Sequence, residues 1–82
     1  MNSAQVPASL RGILGDTLEI SPDEITPELR MDQVDSWDSF RHLQIILAVE
    51  GEYGVQLDPQ RIPELTSVAL IQAELEKKGA EL

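Results

Sequence analysis

The chain has 82 residues, fifteen acids against six bases for a net charge of −9, and no cysteine. That length sets a single domain, 1–82, with a modest core, and the missing cysteine removes disulfides, thiolate metal sites and a cysteine nucleophile. The charge opposes binding to nucleic-acid phosphate or anionic lipid and steers the chain toward basic patches on partner proteins, with plain solubility as the other use of so many acids.

The pattern is helical throughout. Over residues 5–18, Leu10, Ile13, Leu14 and Leu18 share one helix face, and Pro7 suits a first turn, where an N–H is not needed. Ser21-Pro22-Asp23 stops that helix and opens a long link, 21–38, that carries both Pro22 and Pro27. A structureless loop of that length is uncommon in a compact domain. Ile20, Ile25, Leu29, Met31, Val34 and Trp37 are spaced along it as anchors, and the last three repeat every third residue, as in a helical turn pinned to the core.

Residues 39–53 form the best helix, capped by Asp38 or Ser39 and ended by Gly54 in a left-handed C-cap. It carries two apolar lines. One runs through His42, Ile45, Ile46, Val49 and Tyr53, the other through Phe40, Leu43 and Leu47. Two lines exceed what a surface helix needs, so either the helix is central or one line stays exposed for a partner. Pro59 opens a brief helix through about Glu64, shortened or distorted by Pro63. Thr66 or Ser67 caps a last helix at 67–78 with Val68, Ile71 and Leu75 on one face, Lys77 and Lys78 in its final turn and Gly79 as its stop. The expected fold is all-α: three main helices plus one short helix, a small four-helix bundle with a long first loop.

Residues 1–9 lack the basic start and apolar stretch of a signal peptide. The longest apolar run, Ile45 to Val49, is far below the roughly 20 residues of a membrane span. A soluble, cytoplasmic protein is expected.

Little catalytic chemistry is on offer. Asp32, Asp35 and Asp38 recur every third residue, but the glycine and final glutamate of a calcium loop are missing, and His42 is the only histidine, so no metal site is expected. Ser39 and His42 are three apart, but Asp38, beside the serine, is poorly placed to orient His42 from behind, and a small bundle offers little substrate pocket. Phosphate chemistry fits better, because a helix entrance presents free N–H groups and the positive end of a dipole to a phosphodiester on a serine. Spacing alone leaves Ser39 as a cap or as an attachment point, with Ser36 as a competitor.

Asp38-Ser39-Phe40, followed by an apolar helix into Glu50-Gly51-Glu52-Tyr53-Gly54, resembles the acyl carrier proteins. Leu10, Ile13, Leu14, Gly15 and Leu18 resemble that family's first helix, Ile25 and Met31 its loop anchors, Val55-Gln56-Leu57 the segment after its second helix, and Leu65-Thr66-Ser67-Val68 the entry to its last. The resemblance runs over about 6–78, with short flexible ends expected outside it. It implies that Ser39 receives 4′-phosphopantetheine from coenzyme A through a phosphopantetheinyl transferase, that the arm's thiol carries an acyl group as a thioester, and that the chain is a non-catalytic carrier, expected to be a monomer because a carrier passes between partners.

The resemblance also separates the serines, because the family aromatic lies fourteen residues after the modified serine, the spacing of Tyr53 from Ser39. It implies that Asp38 contacts the transferase, that Phe40, Leu43 and Leu47 meet acyl-loading and acyl-using enzymes with basic docking patches, and that Ile45, Val49 and Tyr53 are core. On the expected docking helix Glu50 remains acidic, but Arg41, Gln44 and Gly51 depart from the family's acidic run, which implies weaker docking to general fatty-acid enzymes and a dedicated partner set. Fatty acid, polyketide and aminoacyl or peptidyl (nonribosomal) cargo remain open. So does an unmodified acidic adaptor that binds basic proteins through Phe40, Leu43 and Leu47.

Overall fold

The structure is a computed structural model that describes residues 6–82. The expected start of the first helix at residue 5 lies outside the described residues. Helix α1 spans Ala8–Leu18, α2 Ser39–Tyr53 and α3 Val68–Lys77, with 3-10 turns at Pro22–Glu24, Met31–Gln33 and Ile62–Glu64. The described residues form no strand; an isolated antiparallel bridge joins Arg30 and Ser67.

Each helix starts and stops for a local reason. Pro7 sits just before α1, one position outside the expected first turn, and its carbonyl accepts the Arg11 amide at 2.9 Å. The helix ends where Glu19 turns left-handed, φ 60°. In α2 the cap is Asp38, whose carboxylate accepts the Arg41 amide at 2.9 Å, and the stop is Gly54 at φ 66°, a conformation that glycine adopts without a Cβ clash. In α3 the cap is Ser67, whose hydroxyl accepts the Leu70 amide at 3.1 Å.

The core gathers one stripe from each helix: Leu10, Leu14 and Leu18 from α1, Ile45, Ile46 and Val49 from α2, and Val68, Ile71 and Leu75 from α3. Each such buried side chain contributes about 1.5–3 kcal/mol relative to exposure. Ile25, Trp37, Leu57 and Leu65 close the core from the connections, while Ile13, Met31, Val34 and Tyr53 pack at its margin, half-buried.

The expected fourth helix is a single 3-10 turn. Arg61, Glu64 and Leu65 each donate to the carbonyl three residues back, at 2.8, 2.8 and 3.1 Å. Pro63 has no N–H for a bond to residue 59, and its ring obstructs that carbonyl. Four residues after Pro63 the chain must already be extended at Ser67 to cap α3, so no room remains for another turn.

The long connection is fastened to α3. The amides of Val68 and Ala69 donate to Leu29 O and Pro27 O, both at 3.0 Å, and Met31 donates to Thr66 O at 2.8 Å. With Leu70 bonded to the Ser67 hydroxyl and Ile71 to the Ser67 carbonyl, all four leading amides of α3 are satisfied.

Candidate functional site

The entrance of α2 is built differently from that of α3. Asp38 supplies both acceptors for its third and fourth amides: the carboxylate for Arg41 and the carbonyl, at 2.8 Å, for His42. The amides of Ser39 and Phe40 have no partner among the described residues, so one helix N-terminus is closed by protein groups and the other presents two free donors. Because Asp38 performs the capping, the Ser39 hydroxyl is not needed for it. Ser39 is exposed, and its hydroxyl makes no hydrogen bond among the described residues.

Ser36 is in the opposite situation. Its hydroxyl donates to Leu18 O at 2.7 Å and is partly buried. Arg41 does similar work in the first turn of α2, donating from one guanidinium nitrogen to Thr17 O at 2.8 Å and to the Glu19 carboxylate at 3.4 Å. These two side chains, from either side of Ser39, take up carbonyls of the last turn of α1, which have no acceptor role inside their own helix. A positive charge is also favourable at that end of the dipole. The entrance of α2 is thereby locked onto the exit of α1.

His42 is buried, 5% exposed. Its Nδ1 accepts the indole N–H of Trp37 at 3.0 Å, and its Nε2 lies 2.8 Å from Ile62 O, a carbonyl that can only accept. The imidazole is therefore the tautomer with its proton on Nε2. Both nitrogens are committed to these partners, so neither serves Ser39. This link between the first loop and the 62–64 turn was not legible in sequence: Trp37 precedes the helix, so no helical period connects it to His42.

The two apolar lines of α2 separate. Ile45, Ile46 and Val49 are buried, whereas Phe40, Leu43 and Leu47 are 69%, 49% and 60% exposed. Large apolar side chains aligned on one helix face mark an interaction surface more often than isolated ones do. Below them a groove of about 470 Å³ runs between Leu43, Leu47 and Glu50 on one wall and Leu57, Pro59 and Ile62 on the other. Glu50 is committed locally, its carboxylate accepting the Leu57 amide at 2.8 Å. At the far end of α2 the Tyr53 hydroxyl meets the Ser9 hydroxyl at 2.5 Å, which ties this end to the start of α1.

The aspartates of the first loop do not converge; no group of three or more potential metal ligands forms among the described residues. Asp32 pairs with Arg30 at 2.9 Å. That hydrogen bond, aided by the guanidinium charge, holds the Asp32 carboxyl below the usual carboxylate range and raises Arg30. No helix of the described residues is long and apolar enough to cross a membrane.

No family model matches the chain. It is 26% identical over 68 residues to an acyl carrier protein of Thermosynechococcus vestitus, an alignment that covers 83% of this chain and 84% of that protein. A likeness of that extent, on an all-helical chain, supports a carrier role in general.

Proposed function

We propose that this chain is an acyl carrier protein whose Ser39 holds 4′-phosphopantetheine. The carrying observation is the division of labour at the entrance of α2: Asp38 caps, Ser36 is tied to Leu18 O, and Ser39 alone offers an exposed, unpaired hydroxyl beside two free amides. The residues fit the group. A phosphodiester on Ser39 would be held by the Ser39 and Phe40 N–H groups and the positive end of the α2 dipole, and the exposed Oγ would leave a flexible arm free of the core.

In the loading reaction, catalysed by a phosphopantetheinyl transferase, Ser39 Oγ forms a bond to the phosphopantetheinyl phosphorus of coenzyme A, its proton is lost, and 3′,5′-ADP leaves. When bound, the arm supplies a terminal thiol that holds an acyl group as a thioester. This chain's own residues bind and orient. Asp38 keeps the helix entrance formed, and Arg41 and Ser36 fix its position against α1. Phe40, Leu43 and Leu47 present an apolar face to acyl-handling enzymes next to the attachment point. Fatty acid, polyketide and aminoacyl pathways all use cargo that such an arm holds.

The test is intact mass after incubation with coenzyme A, magnesium and a broad-specificity transferase. The expected result is a gain of one phosphopantetheine, lost in Ser39→Ala and kept in Ser36→Ala. No gain in the wild type overturns the reading and leaves an unmodified adaptor acting through the same apolar face.

A further inference from the structure

The negative charge of this protein is not where its exposed apolar helix face is. Residues 16–38 hold eight acids against one base, Arg30, a net of −7, while Ser39–Tyr53 hold Glu50 and Glu52 against Arg41, a net of −1. The single base of the acidic segment is already spent on Asp32.

Within that segment lies a groove of about 430 Å³. Its floor is apolar: Leu18 is buried, and Ile20, Leu29 and Val34 are half-buried and line the opening. Its rim carries Glu19, Glu24 and Asp35, all exposed. Glu24 and Asp35 have no ion-pair partner among the described residues, and Glu19 meets only Arg41, at 3.4 Å. Ser36, three residues before Ser39, forms one end, and none of Phe40, Leu43 or Leu47 lines it.

An apolar floor under a rim of three carboxylates matches one kind of side chain, a long aliphatic stem that ends in a cation. We propose that this groove is a second docking surface, occupied by an arginine- or lysine-bearing segment of a partner protein. A stem lies over Ile20, Leu29 and Val34, and its head pairs with Glu19, Glu24 and Asp35. Partner recognition is then bipartite, with apolar contact on α2 and charge on the first loop. The proposal rests on the carrier reading only in taking the partner to be an acyl-handling enzyme; the groove itself needs no arm.

Glu19 supports this assignment. It is the only non-glycine described residue with a positive φ, at 60°, a conformation that disfavours an L-residue and that helix ends usually give to glycine. The chain keeps a carboxylate there, on the rim.

The experiment uses the isotope-labelled, unmodified protein at low salt and an end-blocked peptide of alternating arginine and alanine, followed by amide chemical shifts. Shifts are expected at Leu18–Ile20, Leu29 and Val34–Ser36, including the apolar floor residues, and are expected to fade with added salt. Glu19→Gln/Glu24→Gln/Asp35→Asn is expected to weaken binding about tenfold, and Glu52→Gln/Glu76→Gln, at two exposed acids outside the groove, to leave it unchanged. Glu19→Gly suits the backbone, so its expected weakening cannot be ascribed to unfolding. The proposal is overturned if the shifts centre on α2, if they follow the acids generally without the floor residues, or if the triple variant binds like the wild type. Because no arm is involved, its failure is distinct from a failure to modify Ser39.

Discussion

The indole N–H of Trp37 points at Nδ1 of His42, 3.0 Å away, with the two rings tilted by 35° and 6.0 Å apart. Through Nε2 the same imidazole holds Ile62 O, so a residue in the first turn of α2 joins the loop before it to the turn after it. Trp37→Phe keeps the apolar bulk but leaves Nδ1 buried without a donor, which costs about 1–3 kcal/mol. Urea denaturation measures it. His42→Ala is expected to lower stability while Ser39 is still modified, because the imidazole is engaged elsewhere; loss of modification in a folded His42→Ala would contradict this geometry.

The two serines are expected to part in stability as well as in modification. Ser36→Ala removes the bond to Leu18 O and is expected to cost about 0.5–1.5 kcal/mol. Ser39→Ala breaks no bond and is expected to stay within about 0.5 kcal/mol of the wild type. Thermal unfolding of both unmodified variants checks the order.

Gly15 sits where α1 turns into the first loop. A Cβ there would lie 3.0 Å from Ile20 O and 3.4 Å from Pro22 N, both backbone atoms. Gly15→Ala therefore presses on the backbone that leads from the helix, a cost of about 1–3 kcal/mol set against a helix-propensity gain of up to about 1 kcal/mol, and its denaturation midpoint is expected to fall below that of Gly51→Ala. Gly51→Ala meets nothing within 4 Å and lies inside α2, so the gain in helix propensity, up to about 1 kcal/mol, is expected to stabilise the fold.

The pH dependence expected of Asp32 follows from its partner. Its carboxyl titrates below the ordinary range because Arg30 hydrogen-bonds its charged form. A depressed carboxylate contributes stability above its unfolded value and loses that contribution as pH falls through the folded one. Both partners are exposed, so little stability is at stake. In Arg30→Gln the Asp32 midpoint is expected to rise to the usual range in a carboxyl-detected NMR titration.

Phe40, Leu43 and Leu47 are expected to be dispensable for the fold. Replacing Leu47, 60% exposed, with serine should change stability by less than about 0.5 kcal/mol while lowering the rate at which an acyl-handling enzyme uses the modified protein. Equal rates would remove this face from the partner contact.

Much of this arrangement was legible in the sequence. The helix faces followed from apolar period, and Thr66 or Ser67 marked the head of the last helix and Gly54 the end of α2, because a capping hydroxyl and a glycine's freedom to turn left-handed each act within one turn. What escaped was non-local. Nothing in the spacing announced that Arg41 would reach back to Thr17 O and Glu19, or that Glu50 would bond the Leu57 amide. The short fourth helix was read from Pro59, but Pro63 and the extended Ser67 together left space for only a 3-10 turn. Capping by Asp38 was one of two options in the sequence, and only the bond to Arg41 N decided between them.

The stitching of Pro27–Met31 to the head of α3 has a dynamic consequence. The first two amides of α3 draw their acceptors from a segment about forty residues earlier in the chain, so neither piece opens without the other. In hydrogen exchange Met31, Val68 and Ala69 should gain deuterium as one unit, at a rate set by a shared sub-global opening. The Ser39 and Phe40 amides should exchange at once, because no such opening stands between them and water.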